Sequence, residues 1–245
     1  MTIPQLKAAI ARPTVPFATG GFRPTNAVEE SWIGRVTAFG EGETVPTDVN
    51  GKPMIPLAQF YLADLPYLPP ALKGVTLLTF FLSITYNNLL QTRGETAAYP
   101  HDGAYYVVRE YRSLPTVHPA TSQPEPVYIK PFPLRPEPVR DDYPIWDGGG
   151  LSPEMEREIL RLERDGTIEN YYDITEHDHR HKVGGYPSFC QSGIMGYGAG
   201  FGEGFEFVLQ ISSDAKAGLN VIDGGSLMFA RQPERGAWSL YFDFY

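Results

Sequence analysis

The sequence predicts an α+β fold: mostly antiparallel β-sheet with few helices, in two pseudo-symmetric duplicated halves that form one compact globule. Three observations lead there. Proline (23 residues) and glycine (25) punctuate the 245-residue chain so heavily that short strands and ordered loops are favoured over long helices. Several runs, Phe205 to Ile211 and Trp238 to Tyr245 among them, alternate at the two-residue period of a strand. Segments of the two halves also match at a near-constant offset. Gly34 in Trp32-Ile33-Gly34-Arg35 answers Gly184 in Lys182-Val183-Gly184-Gly185, 150 residues on. Leu57-Ala58-Gln59-Phe60 answers Val208-Leu209-Gln210-Ile211, and Leu77-Leu78-Thr79-Phe80 answers Ser226-Leu227-Met228-Phe229. One offset shared by several elements points to duplication.

The elements follow in order. Ile3 to Ala11 reads as a short helix, with Thr2 as N-cap, Pro4 in the first turn, and Ile3, Leu6 and Ile10 on one face. Pro13 stops it, and residues 13 to 30 read as loop. After the Ser31 to Val36 segment, Pro53 to Leu62 alternates as a strand. Leu77 to Leu82 is apolar enough for a strand buried on both faces, and Tyr105 to Tyr111 suits a pleated surface. Nine prolines between Pro115 and Pro144 make residues 112 to 146 an extended strap packed along the globule. The expected organisation is therefore a single domain over 1–245, with repeats 1–111 and 147–245 joined by the strap 112–146. The best helix follows: Ser152 caps it, Pro153 opens it, Met155, Ile159 and Leu162 form its stripe, and Gly166 closes it. Glycines at every second position from 196 to 204 read as a loop or hairpin tip.

Charge and composition narrow the function. Against 20 basic side chains stand 29 acidic ones, so the net charge of −9 repels phosphate backbones and speaks against nucleic acid. The longest apolar run, Val75 to Ile84, is too short for a membrane helix, and the N-terminus has no signal-peptide core. A single cysteine, Cys190, cannot form an intramolecular disulfide, which fits a reducing, cytoplasmic location.

Lys182-Val183-Gly184-Gly185-Tyr186-Pro187, Gln191, the Leu209-Gln210-Ile211 strand and Asp223-Gly224-Gly225 before an apolar strand resemble the YwqG-like family, a bacterial domain of unknown function. Gly51-Lys52-Pro53 through Phe60, Gly74 and Leu77 to Phe81 resemble its pattern in the first half. Arg35 departs from it, standing where a second glycine is expected. The resemblance implies a compact α+β fold and no established activity.

Candidate chemistry is sparse. His177, His179 and His181 share one face of an extended chain, which suits a divalent metal; the same pattern suits a solvated polar edge, and no fourth ligand is spaced to join them. Cys190, between Phe189 and Gln191, reads as a small buried hydrophobe rather than a nucleophile. Asp141-Asp142 reads as a solvated pair in the strap. Neither a nucleophile elbow nor a phosphate-binding loop is present. Gln59 and Gln210, paired by the repeat, either tie strand backbones together or face a ligand. The ligand- or partner-binding candidates are therefore Lys182, Gly184, Gly185, Tyr186, Gln191, Gln59 and Gln210, with no cofactor expected. Two functions follow. One is a non-enzymatic interaction protein with a protein partner, a basic one in particular, as in an immunity-type neutraliser of a toxin. The alternative is a small-ligand-binding protein or metal-dependent enzyme with its site between the halves.

Overall fold

A computed structural model describes residues 1–84, 99–100, 103–115, 129–191, 193–194 and 200–245. Among these residues twelve strands form one sheet, antiparallel and nearly closed into a barrel. They are β1 (Arg12–Thr19), β2 (Ser31–Ile33), β3 (Ile55–Tyr61), β4 (Leu77–Leu82), β5 (Tyr99–Pro100), β6 (Tyr106–Tyr111), β7 (Phe132–Pro136), β8 (Arg140–Asp142), β9 (Lys182–Gly184), β10 (Glu206–Ser212), β11 (Ser226–Arg231) and β12 (Trp238–Asp243). The order is β5-β12-β11-β10-β9-β1-β7-β2-β3-β4-β6, with β8 on β1. The two ends of the sheet face each other: Glu110 of β6 accepts hydrogen bonds from Arg231 of β11 at 2.6 Å and from Trp238 of β12 at 2.7 Å.

Two regions differ from the sequence reading. Residues 13 to 30 do not form a continuous loop, because β1 sits at the centre of the sheet. Its prolines remain usable there because their carbonyls accept: Pro13 from Gly185 N–H, Pro16 from Glu137 N–H. The strap, where it is described, contributes β7 and β8, which line one edge of β1 as an interrupted ladder. Residues 116 to 128 of the strap lie outside the described residues, as do residues 195 to 199 of the glycine run.

The pairing at the centre crosses the chain. β1 pairs with β9, Val15 opposite Val183, while β7 pairs with β2, Pro133 opposite Trp32. From β9 outward the order is β10-β11-β12, and from β2 outward it is β3-β4-β6. Both inner hairpins carry a bulge, at Leu57 and at Val208. The enclosed core is aromatic: Phe17 meets Phe60 edge-on at 5.1 Å, and Phe80 packs on Phe229 at 4.8 Å and on Trp238 at 6.1 Å. Each such ring contributes roughly 1.5–3 kcal/mol by leaving water.

Two helices stand outside the sheet among the described residues. α1 (Ile3–Ile10) begins with a Thr2–Gln5 capping box and buries Leu6 and Ile10. α2 (Pro153–Arg164) is capped by Ser152, buries Ile159 and Leu162, and is followed by Gly166 at φ +75°. Gly166 N–H returns to Glu163 and Thr167 N–H to Leu162, which satisfies the last carbonyls. Both helices contribute their buried residues to a second core that also holds Tyr143 and Tyr171. None of the described helices is long and apolar enough to cross a membrane.

Candidate functional site

The glycine turn after β9 organises the site. Gly184 and Gly185 both have positive φ, +80° and +73°. A Cβ on Gly184 would lie 2.7 Å from both the Pro13 carbonyl oxygen and Tyr67 Cε1. On Gly185 it would overlap the Asp142 carboxylate. That carboxylate reads the turn. Oδ2 accepts from Tyr186 N–H and from Lys182 Nζ, each at 2.8 Å, and Oδ1 accepts from Asp178 N–H at 2.8 Å. The solvated role expected for Asp142 is thus overturned: it is fully buried, while Asp141 beside it is exposed. Sequence reading missed it because the three donors converge from residues 36 to 44 positions away.

Lys182 is fully buried and also donates to the Asp178 carbonyl, with its Nζ 3.4 Å from His177 Nε2. Burial lowers its pKa, and Asp142 opposes that shift. His177 donates from Nδ1 to the Tyr143 carbonyl at 2.6 Å, so Nε2 is left to accept from the Ser188 hydroxyl at 2.7 Å. Burial first, then the Lys182 charge, pushes His177 down to about 3, which keeps the ring neutral near pH 7. Ser188 in turn accepts from Gln210 Nε2 at 2.8 Å. A saturated polar cluster therefore lies beneath the turn.

The three histidines do not form one face. The chain around them is not a strand; Asp178 Oδ1 accepts from Arg180 N–H and bends it. His177 and His179 touch, with ring centroids 4.7 Å apart. His181 points elsewhere, accepting from Ser212 N–H on Nδ1 and facing Asp214 at 3.1 Å through Nε2. No group of three or more His, Cys, Asp or Glu positioned for a metal occurs among the described residues. Cys190 is half-buried; burial, then Asp243, pushes its thiol up to about 11, so thiolate is scarce near pH 7.

The glutamines serve as clamps. Gln210 Oε1 accepts from Ser188 N–H at 3.1 Å, and Nε2 donates to the Arg180 carbonyl at 3.0 Å. Gln59 Oε1 accepts from Thr37 and Ala38 N–H, and Nε2 donates to the Val28 and Glu30 carbonyls. Each thus ties the chain before its glycine turn to the chain after it. Both are fully buried. Gln191 sits apart, bonded to the Phe244 carbonyl at 3.2 Å.

Above the turn lies a cleft of about 500 Å³, bordered by Arg12, Pro13, Tyr67, Pro70, Gly184–Tyr186 and Phe205–Phe207. It exists because β9 stops at Gly184. The next N–H groups go to Pro13 and Asp142, which draws the chain away from β10. Beyond that point Arg12 and Pro13 of β1 and Glu206 and Phe207 of β10 line the cleft with no strand paired between them, and Pro144, Ile145 and Phe189 border it as well. Arg12 lies over the Tyr186 ring at 4.1 Å. Burial raises the Tyr67 hydroxyl pKa, Arg12 opposes that, and Glu206 adds to it, so both charges act on one ring. Of the candidates read from sequence, Gly184, Gly185 and Tyr186 line the cleft, while Lys182 and Gln210 are buried and do not line it.

A family model described as Domain of unknown function (DUF1963) matches residues 31–235. The chain belongs to the DUF1963 family. The match contains both glycine turns and both clamping glutamines, whereas Arg12 and Pro13 come from β1, outside it. No curated protein matches the chain.

Proposed function

We propose that this DUF1963 chain is a binding protein that holds an extended segment of a partner polypeptide in the cleft between β1 and β10. The observation carrying this reading is the end of β9 at Gly184, which leaves β10 without a partner on that side below Leu209, beside a cleft bordered by rings. Tyr67, Phe207, Pro13 and Pro70 give contact area with little rotamer entropy to lose. The net charge of −9 speeds encounter with a partner of net positive charge. The single Cys190 suits a reducing compartment such as the cytoplasm.

We also infer that the sheet arose by duplication and that the family resemblance extends to the YwqG-like proteins. The matching strand orders around β1 and β7, the paired bulges and the paired glutamine clamps support duplication. The first turn is simpler than the second. Arg35 does not have positive φ and stacks on Trp32 at 4.4 Å, so one left-handed residue, Gly34, suffices there.

Panning a displayed random-peptide library on the full chain tests the binding reading. Enriched peptides should lose at least about tenfold in affinity on Pro70→Arg and on Phe207→Arg, with unfolding curves checking that each variant folds. No enrichment, or peptides indifferent to both substitutions, overturns it.

A further inference from the structure

We propose that the bound segment enters as an added strand on the open edge of β10, with an acidic side chain reaching Arg12 and a basic one reaching Glu206. This rests on the reading that the cleft takes a polypeptide.

The pairing registers define the opening. β10 pairs with β11 from Glu206 to Ser212, but with β9 only at Leu209 and Gln210. Below Leu209 its other edge faces the cleft, and Phe205, Glu206 and Phe207 line it. Unpaired backbone groups on such an edge are the template that strand addition uses. The β1 side of the cleft offers less. Pro13 has no N–H, and its carbonyl is taken by Gly185. Pairing therefore goes to β10, and β1 contributes side chains.

Charge supplies the selectivity. Arg12 and Glu206 are both exposed, and neither forms an ion pair among the described residues. Arg12 rests on the Tyr186 ring, whose hydroxyl is held by the Ile10 carbonyl at 2.8 Å. Arg12 also hydrogen-bonds the Tyr186 hydroxyl, so the guanidinium is set on a fixed platform with its remaining N–H donors available to a carboxylate. Opposite, the Glu206 carboxylate is available to a lysine or arginine. An entering strand that offers one charge of each sign neutralises both walls, whereas one that offers two like charges meets a repulsion.

The test uses peptides enriched on the full chain and sensitive to Pro70→Arg. They should carry an acidic and a basic residue close together. Scanning N-methyl groups along such a peptide should cost about tenfold at alternate residues and little between them, because only every second backbone group faces β10. Arg12→Glu combined with Glu206→Arg should weaken those peptides about tenfold and select a new set with the two charges exchanged. Peptides that need Pro70 but show no N-methyl alternation and no response to the charge exchange overturn the added strand and leave the cleft reading standing. The absence of any Pro70-sensitive peptide overturns the cleft reading itself.

Discussion

Replacing Asp142 by asparagine changes two atoms' worth of chemistry and almost no volume. In the native protein its carboxylate accepts from Lys182 Nζ, Tyr186 N–H and Asp178 N–H, all at 2.8 Å, in a site closed to water. An amide has one oxygen for these three donors. If that oxygen faces Lys182 and Tyr186, the NH₂ faces Asp178 N–H; if the amide flips, the NH₂ faces the ammonium. Lys182 then keeps only neutral acceptors, the Asp178 carbonyl and His177 Nε2 at 3.4 Å, for a buried charge. Removing one partner of a buried pair costs about 3–5 kcal/mol, a large share of the roughly 5–15 kcal/mol that holds a domain folded. Urea unfolding reads it directly: at an m-value of about 3 kcal/mol per molar, the midpoint should fall by roughly 1–1.7 M with m unchanged. Adding Lys182→Met to Asp142→Asn removes the stranded charge, so the double variant should be more stable than Asp142→Asn alone. A loss below about 1 kcal/mol for Asp142→Asn, or strict additivity in the double variant, would refute the assignment of this carboxylate as the keystone of the turn.

Gly184→Ala should cost more than about 3 kcal/mol, because positive φ and two contacts at 2.7 Å act together, while Gly218→Ala, at φ +68° with open space around it, should cost only about 1–2 kcal/mol in thermal unfolding. Equal costs would show that space at Gly184 is irrelevant. His177 is neutral in the folded protein down to about 3, while the unfolded chain takes a proton near 6.5. The unfolded state therefore binds more protons between those values, and stability falls as pH drops, by about 1.6 kcal/mol from pH 6.5 to pH 5. His177→Gln, which does not titrate, should flatten that slope in urea titrations; an unchanged slope excludes His177 as its source. Gln59→Leu and Gln210→Leu each strand buried backbone groups and should each cost roughly 2–5 kcal/mol. Losses that differ by more than about 2 kcal/mol would count against equivalent clamps.

The legible parts of the fold were those with local signals. β3, β4, β6, β10, β11 and β12 showed apolar or alternating patterns, and both helices carried caps at Thr2 and Ser152. β1 and β7 were not legible as strands, since Pro13, Pro16, Pro133 and Pro136 break the pattern and their partners lie far along the chain. The glycine turn was legible because positive φ demands glycine, but its reason was not, because Asp142 reaches it from another strand. The histidine alternation misled because it assumed an extended chain where Asp178 makes a bend. Arg12 gave no signal, since a lone arginine before a proline acquires meaning only from the neighbours the fold brings to it.

The crossed pairing at the centre of the sheet bears on how the molecule is made. Val15 is bonded into the strand that holds Val183, 168 residues later. At about 5–20 residues per second, β1 leaves the ribosome roughly 10–30 s before its partner exists. Throughout that interval first-half residues such as Phe60 can pack on Phe17, but the β1 edge that holds Val183 in the finished protein stays without its strand. The first half therefore cannot be completed as it is synthesised, and final assembly waits for β9, late in the chain. Such long-range closure makes for slow folding. A chain truncated before Lys182 would carry an unfinished central edge and should associate with other copies rather than remain monomeric.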